Sequence, residues 1–323
     1  MRFDSKDGGK SASGDDRNSL VRPLAEGPVD IIGDVHGEID VLAELFSRLG
    51  YAADGAHPEG RRLVFLGDLV DRGPDSPGVV RWVARLIDAG RAECVLGNHD
   101  FNLMLGHQKQ GNLWFFGQAE AIGGGRRPTP AVLADAATRR EVLTFFSKLP
   151  LVLHRPGLRI VHACWHADMV QLAACESDVA SFYRRYERSI DQRLAIDTSQ
   201  DAVDRALQHQ NLNPVKMLTS GPEERADQPY HSGGRLRHER RVPWWHCYRE
   251  QALCVFGHYA TLRDSPNGHG RAVCLDFAIG KRYLDRRAGD EPPETHLAAL
   301  RLPEEVICFE DGQQWPLARI AGA

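Results

Sequence analysis

The chain has 323 residues, 42% hydrophobic and 26% charged, ordinary values that exclude bulk disorder and allow one large domain or two small ones. Lys and Arg number 40 against 44 Asp and Glu, and the net charge of −4 excludes a globally basic, duplex-binding protein but not a locally positive cleft. No apolar run approaches the ~18 residues of a membrane span. The 7 cysteines form no CxxC pair, the usage of a reduced, cytoplasmic chain.

Residues 1–20, rich in Gly, Ser and Asp and lacking an apolar signal segment, read as a disordered tail ahead of a single domain over 25–323. A strand is predicted at 29–32, ended by Gly33, and a helix at 38–49 from its apolar spacing. A second strand at 63–66 and a helix at 77–89 follow, the helix with Ser76 as N-cap and Pro77 at its first position. A third strand is predicted at 94–96. Three βα units in succession favour a mostly parallel sheet with right-handed crossovers. Beyond them, 123–130 reads as a loop, 131–148 as helix and 151–163 as two strands around Arg155-Pro156-Gly157. Residues 181–210 are polar and helical, and 221–234 is a Pro- and Gly-rich loop. Late strands at 253–256, 272–275, 296–302 and 306–309 suggest a second sheet packed on the first.

Each early strand runs into glycine and then into candidate metal ligands: Gly33-Asp34-Val35-His36-Gly37, Gly67-Asp68-Leu69-Val70-Asp71-Arg72-Gly73 and Gly97-Asn98-His99-Asp100. Ligands of open α/β sheets gather outside the carboxyl ends of the strands, so these residues meet in space. Carboxylate, imidazole and amide oxygen together suit divalent ions such as Mn, Fe, Zn or Mg. Asp68, on the middle motif, is the natural bridge between two ions ~3.5–4 Å apart, and a hydroxide held between them is a nucleophile near neutral pH. Of the 14 histidines, His36, His99, His162 and His258 follow predicted strands.

These three motifs resemble those of the calcineurin-like metallophosphoesterases, and GDLVDRG is similar to the phosphoprotein-phosphatase branch. Bacterial Ser/Thr protein phosphatases, symmetrical diadenosine tetraphosphatases and the phosphatase domain of polynucleotide kinase–phosphatases share the pattern. The resemblance implies an α/β fold, an αββα sandwich of two mixed sheets with a helical insertion around 165–250. It implies two divalent metals, Mn first and Fe, Zn, Ni, Co or Mg as alternatives. Asp34 and His36 would hold one, Asp68 would bridge, and Asn98, His162 and His258 would hold the other. Arg72, with Asn98, would bind the phosphoryl group, and His99 paired with Asp71 would protonate the leaving group. The Asp partner is expected to favour the charged imidazolium. The implied substrate is phosphorylated: a phosphoprotein, a dinucleoside tetraphosphate or an RNA end. A catalytically inactive binding module is the different-class alternative, and its intact ligand set argues against it. No GxxxxGK[ST] loop accompanies the motifs, so no kinase half is expected.

The chain departs from the pattern at Asp100, where many relatives have Glu, and at Cys164, where many have Gly. Cys164 reads best as a small packed residue. His166 is either a second group near the metals or a surface residue, and Asp276 either orients a ligand or caps a turn. The segment 235–249, RLRHERRVPWWHCYR, is basic and aromatic. It is either a substrate rim, with Trp244, Trp245 or Tyr248 stacking a base and Arg237, Arg240 or Arg241 meeting phosphate, or a loop anchored by its aromatics. Lys216 is a weaker candidate for the cleft.

Overall fold

The computed structural model describes residues 18–121, 131–197, 199–232, 235–288 and 293–321. The expected loop at 123–130 and most of the expected tail lie outside them. The last residues of that tail are not a tail: Leu20 is buried, and its carbonyl accepts the amides of Leu151 and Val152. It leads into β1 (Val21–Pro23), which pairs with a later strand. The folded unit thus begins before residue 25.

The three βα units follow: β2 (Val29–Ile32), α1 (Ile39–Leu49), β3 (Arg62–Phe65), α2 (Ser76–Asp88), β4 (Ala92–Cys94) and α3 (Asn98–Met104). In α1 the residues Val41, Leu42, Leu45, Phe46 and Leu49 form one buried stripe, and Gly50 stops the helix in a left-handed turn. Asp75, not Ser76, caps α2: its carboxylate accepts the Gly78 amide at 2.7 Å. Ser76 instead accepts the Asp71 amide at 2.9 Å and braces the second motif.

Next come α4 (Ala136–Phe146) and the hairpin β5 (Val152–Arg155) and β6 (Leu158–Val161). Residues 162–252 then carry α5 (Ala167–Ala174), α6 (Val179–Ile196), α7 (Ala202–Leu212), α8 (Pro214–Ser220) and a long hairpin of β7 (Glu223–Ser232) and β8 (Arg235–Arg241). The hairpin replaces the loop expected over 221–234, and the helix expected over 181–210 is broken between α6 and α7. The chain closes its sheets with β9 (Leu253–Phe256), β10 (Gly268–His269), β11 (Ala272–Cys274) and β12 (Asp276–Phe277). After them come α9 (Arg282–Ala288), β13 (His296–Leu302), β14 (Val306–Phe309), β15 (Gln314–Pro316) and α10 (Ala318–Ala321).

Two mixed sheets result. One has the order β1-β5-β6-β9-β11-β10, the other β15-β14-β13-β2-β3-β4 with β12 beside β13. Strands β2, β3 and β4 are parallel, as are β6, β9 and β11. Alternate residues of both sheets, among them Ile31, Val64, Ile160, Val255 and Val273, interdigitate in one apolar core between the sheets. Their neighbours Ile32, Phe65, Val161, Cys254 and Phe256 belong to a second core under the helices. A strand buried on both faces reads as a continuous apolar run, which is why these strands were legible. Among the described residues no helix is long and apolar enough to cross a membrane.

Candidate metal centre

The carboxyl ends of β2, β3, β4, β6, β9 and β11 open onto one edge of the sandwich, and the sequence motifs sit there. Asp34, His36, Asp68, Asp71, His162, His258 and Asp276 are all buried. Six of the seven described non-glycine residues with left-handed φ are His36, Asp68, Asp71, Arg72, His258 and Ala278, all at this edge. Such conformations cost roughly 1–3 kcal/mol each and gather where side chains must be aimed. The backbone also approaches closely: a Cβ on Gly257 would lie 2.0 Å from Asp34 Oδ1.

Asp68 is common to two clusters of potential ligand atoms, one with His36 and His99, the other with His162 and His258. His36 Nε2 lies 3.8 Å from Asp68 Oδ2, with Nδ1 against the Val70 carbonyl at 2.9 Å. His162 Nδ1 donates to the Leu66 carbonyl at 2.7 Å, and its Nε2 is 3.4 Å from Asp68 Oδ2. Backbone partners of this kind fix which ring nitrogen faces inward. Asn98 Oδ1 lies 3.2 Å from His162 Nε2 and 2.7 Å from His258 Nδ1. Turning the amide over would set its NH2 against the same two rings. Otherwise ring protons, or one cation, must lie between these atoms, and carboxylate, amide oxygen and two imidazoles are a donor set that a divalent ion satisfies. Asp34 belongs to neither cluster. Its oxygens accept the His258 amide at 3.2 and 3.3 Å while its side chain lines the same cleft.

The electrostatics suit a donor set for a cation. Burial, with repulsion from Asp68, pushes the carboxyls of Asp34, Asp71 and Asp276 up, and Asp100 up to about 8. Burial also opposes charge on Asp68, but His162, His99 and His36 around it hold it well below the usual range. His162 is carried up to about 10 by Asp68 in spite of its burial, whereas burial and neighbouring cations depress His36 and His258. A cation shared by these groups relieves the crowded carboxylates and takes the place of the ring protons.

His99 and Asp71 are paired as expected, Nδ1 to Oδ2 at 2.6 Å. The expected imidazolium is not what the surroundings favour. Burial and the adjacent Arg72 pull His99 down to about 3, and burial raises the Asp71 carboxyl. His99 Nε2 accepts from the Arg72 guanidinium at 3.0 Å, and a second Arg72 nitrogen lies 3.4 Å from His36 Nε2. Trp114, which no motif marked, donates its indole N–H to the other Asp71 oxygen at 2.8 Å. Asp100 accepts the amides of Leu69 and Gly97, each at 3.0 Å, and so ties the second motif to the third.

These groups floor a cleft of about 500 Å³. One wall is the β7–β8 hairpin, with Tyr230, Arg237 and Arg241; the other is the turn at 278–283, with Gly280, Lys281 and Tyr283. A Cβ on Gly280 would press 2.5 Å from an Arg72 nitrogen. Of the three arginines considered, Arg237 and Arg241 face the cleft, whereas Arg240 points away and pairs with Glu224 and Asp227. The aromatic rim expected of Trp244, Trp245 and Tyr248 is not there. All three are buried, Trp244 donating to the Ala163 carbonyl and Trp245 stacking on Phe256, so they anchor the segment. Lys216 pairs with Glu187, and neither it nor His166 lines the cleft. Cys164 is buried, with its thiol pushed up, as a packed residue should be. Asp276 both faces the cleft and caps a turn by accepting the Ala278 amide at 2.9 Å.

A family model described as calcineurin-like phosphoesterase matches residues 27–259. Bis(5'-nucleosyl)-tetraphosphatase PrpE [asymmetrical] of Bacillus velezensis is 39% identical over 150 residues, 43% of this chain and 57% of that protein. The symmetrical bis(5'-nucleosyl)-tetraphosphatase of Ralstonia nicotianae is 34% identical over 143 residues, 43% of each chain. The chain thus spans about half the length of the curated relatives it matches. Among solved structures, a cold-active protein tyrosine phosphatase superposes with a TM-score of 0.50 at 13% identity, over 95% of this chain and 84% of that one. That likeness concerns the fold alone.

Proposed function

This chain belongs to the calcineurin-like phosphoesterase family, and on that basis we propose that it hydrolyses a phosphorylated substrate with two divalent cations. The observation that carries the reading is Asp68, shared by two clusters of ligand atoms at one edge of the sandwich. Asp34, His36 and Asp68 would hold one ion, and Asp68, Asn98, His162 and His258 the other. Bound there, divalent ions supply Lewis-acid charge for phosphoryl oxygens and lower the pKa of a coordinated water. The nitrogen and oxygen donors suit the candidate divalent ions in general, and it is the family resemblance that puts Mn first among them.

Arg72 turns its planar fork into the cleft, where it suits two phosphoryl oxygens. That guanidinium donates to His99 Nε2, so its transfer to a phosphoryl group would free Nε2 to take up a proton from solvent and hand it to the leaving oxygen. Asp71 holds the ring by Nδ1 throughout. The names of the two relatives favour a nucleoside polyphosphate over a phosphoprotein as substrate. The free cysteines, five of the seven buried, support a reducing, cytoplasmic setting.

The test is turnover of p-nitrophenyl phosphate, diadenosine tetraphosphate, phosphopeptides and RNA-end phosphates, after exhaustive chelation and again after Mn is returned. Activity should vanish and come back, with diadenosine tetraphosphate the best substrate. Activity that survives chelation overturns the metal-dependent reading, and preference for a phosphopeptide overturns the nucleotide one.

A further inference from the structure

Apart from the carboxylates at the centre, the cleft carries four cations, Arg72, Arg237, Arg241 and Lys281, against two carboxylates, Glu223 and Glu239. Arg72 and Arg241 are engaged near the centre: Arg72 by the histidine rings, and Arg241 by the His258 carbonyl at 3.0 Å. Arg237 and Lys281 lie on the two walls, and the side chain of neither makes a hydrogen bond or ion pair among the described residues, although Arg237 is near enough to Glu223 to oppose the rise of its carboxyl. This sets them apart from arginines on the same hairpin. Arg225 pairs with Asp201 and Asp204, and Arg240 with Glu224 and Asp227.

Both walls are fastened to the body of the protein. Asn211 exchanges hydrogen bonds of 2.7 and 2.9 Å with the backbone of Glu223 at the base of the hairpin. The opposite wall runs into α9, where Arg286 grips the buried Glu38 with both its nitrogens and Arg282 reaches Glu310 at 3.4 Å. Two cations on the walls of one cleft, neither holding a carboxylate directly, are matched by an anion between them, and Arg and Lys both bind phosphate. A phosphoryl group held at the centre by Arg72 would occupy the floor, so an anion between Arg237 and Lys281 would belong to the next part of the same molecule.

We propose that Arg237 and Lys281 form a subsite for a further phosphoryl group, so that the cleft selects an oligophosphate chain over a single phosphate. This rests on the phosphoesterase reading of the centre and adds to it the residues that count phosphates. The two subsite cations lie on different elements, so each is expected to contribute separately.

The test is calorimetric titration of the full Mn-loaded chain, at constant free Mn, with orthophosphate and with inorganic imidotriphosphate, whose P–N–P bridges resist hydrolysis. Imidotriphosphate is expected to bind at least about tenfold more tightly, the order of one charge-assisted contact. Arg237→Ala and Lys281→Ala should each reduce that preference several-fold, and together abolish it. Arg240→Ala, on the outward face of β8, should leave the preference intact. An unchanged preference in the double variant overturns the subsite, as does equal weakening of both ligands. A phosphopeptide with acidic flanks that loses as much affinity as imidotriphosphate overturns the assignment to a phosphate chain. Binding is read without turnover, so a protein that hydrolyses nothing fails the phosphoesterase reading while this preference is judged separately.

Discussion

Trp114 is the residue whose chemistry most exceeds its sequence signal. Its buried indole holds one oxygen of Asp71 at 2.8 Å while His99 holds the other at 2.6 Å. A carboxylate gripped on both oxygens cannot rotate, and the imidazole it orients keeps one direction. Trp114→Phe retains the ring and removes the donor. Turnover is expected to fall about tenfold with little change in KM, the loss being greatest for poor leaving groups. In an Asp71→Asn background the same substitution should cost little more, because the two act as a unit. Equal losses in the two backgrounds would show that Trp114 only packs. The residue was not legible because a Trp in an apolar run, Leu113 to Phe116, looks like core, and it is core at every atom but one.

The loops after β3 and β4 owe their mutual position to Asp100. Its two oxygens take the buried amides of Leu69 and Gly97, and Asp68 takes the His99 amide at 2.8 Å. In the sequence Asp100 was only a shorter substitute for the Glu of relatives. The structure makes it the clasp between two motifs, and the shorter side chain reaches because α3 begins immediately at Asn98. Asp100→Ala leaves two buried N–H groups without acceptors, at about 1–3 kcal/mol each. A loss of about 2–5 kcal/mol is expected in urea unfolding, together with weaker Mn binding. A change below about 0.5 kcal/mol would mean that water reaches these amides and the clasp is dispensable. The three βα elements were legible because each repeats an apolar strand, a glycine and an amphipathic helix. The hairpin β7–β8 was not: it alternates polar with polar, and a strand without an apolar face has no period to read.

Two sets of buried ionisable groups make a contrast across the molecule. At the edge away from the metal centre, Asp30 is fully buried and takes paired hydrogen bonds from both Arg61 and Arg301, plus one from Tyr51 at 2.7 Å. These contacts satisfy its charge and pin β2 against β13. The metal centre is the opposite case, with several carboxylates and too few cations among its own side chains. Metal binding should therefore stabilise the whole fold, by about 2.7 kcal/mol when free Mn is 100 times its Kd. In a thermal melt, chelation should lower Tm and added Mn restore it. A Tm indifferent to chelation would mean that the centre is rigid and satisfied without ions.

That Asp34, His36, Asp68, Asn98 and His99 gather at one edge was legible in the sequence, and the family resemblance added His162 and His258. Each follows an apolar run, and successive right-handed crossovers bring strand ends to one edge of a sheet. Chain order carries that information, because the geometry of parallel strands is general. Which arginine of 237, 240 and 241 enters the cleft was decided only by the tertiary structure. In a strand, neighbouring residues face opposite ways, so the answer depends on the register of β7 against β8. The same is true of Trp244 and Trp245, whose composition suits a rim and a core equally. The packing of Phe256 and Tyr259 beneath them made them core.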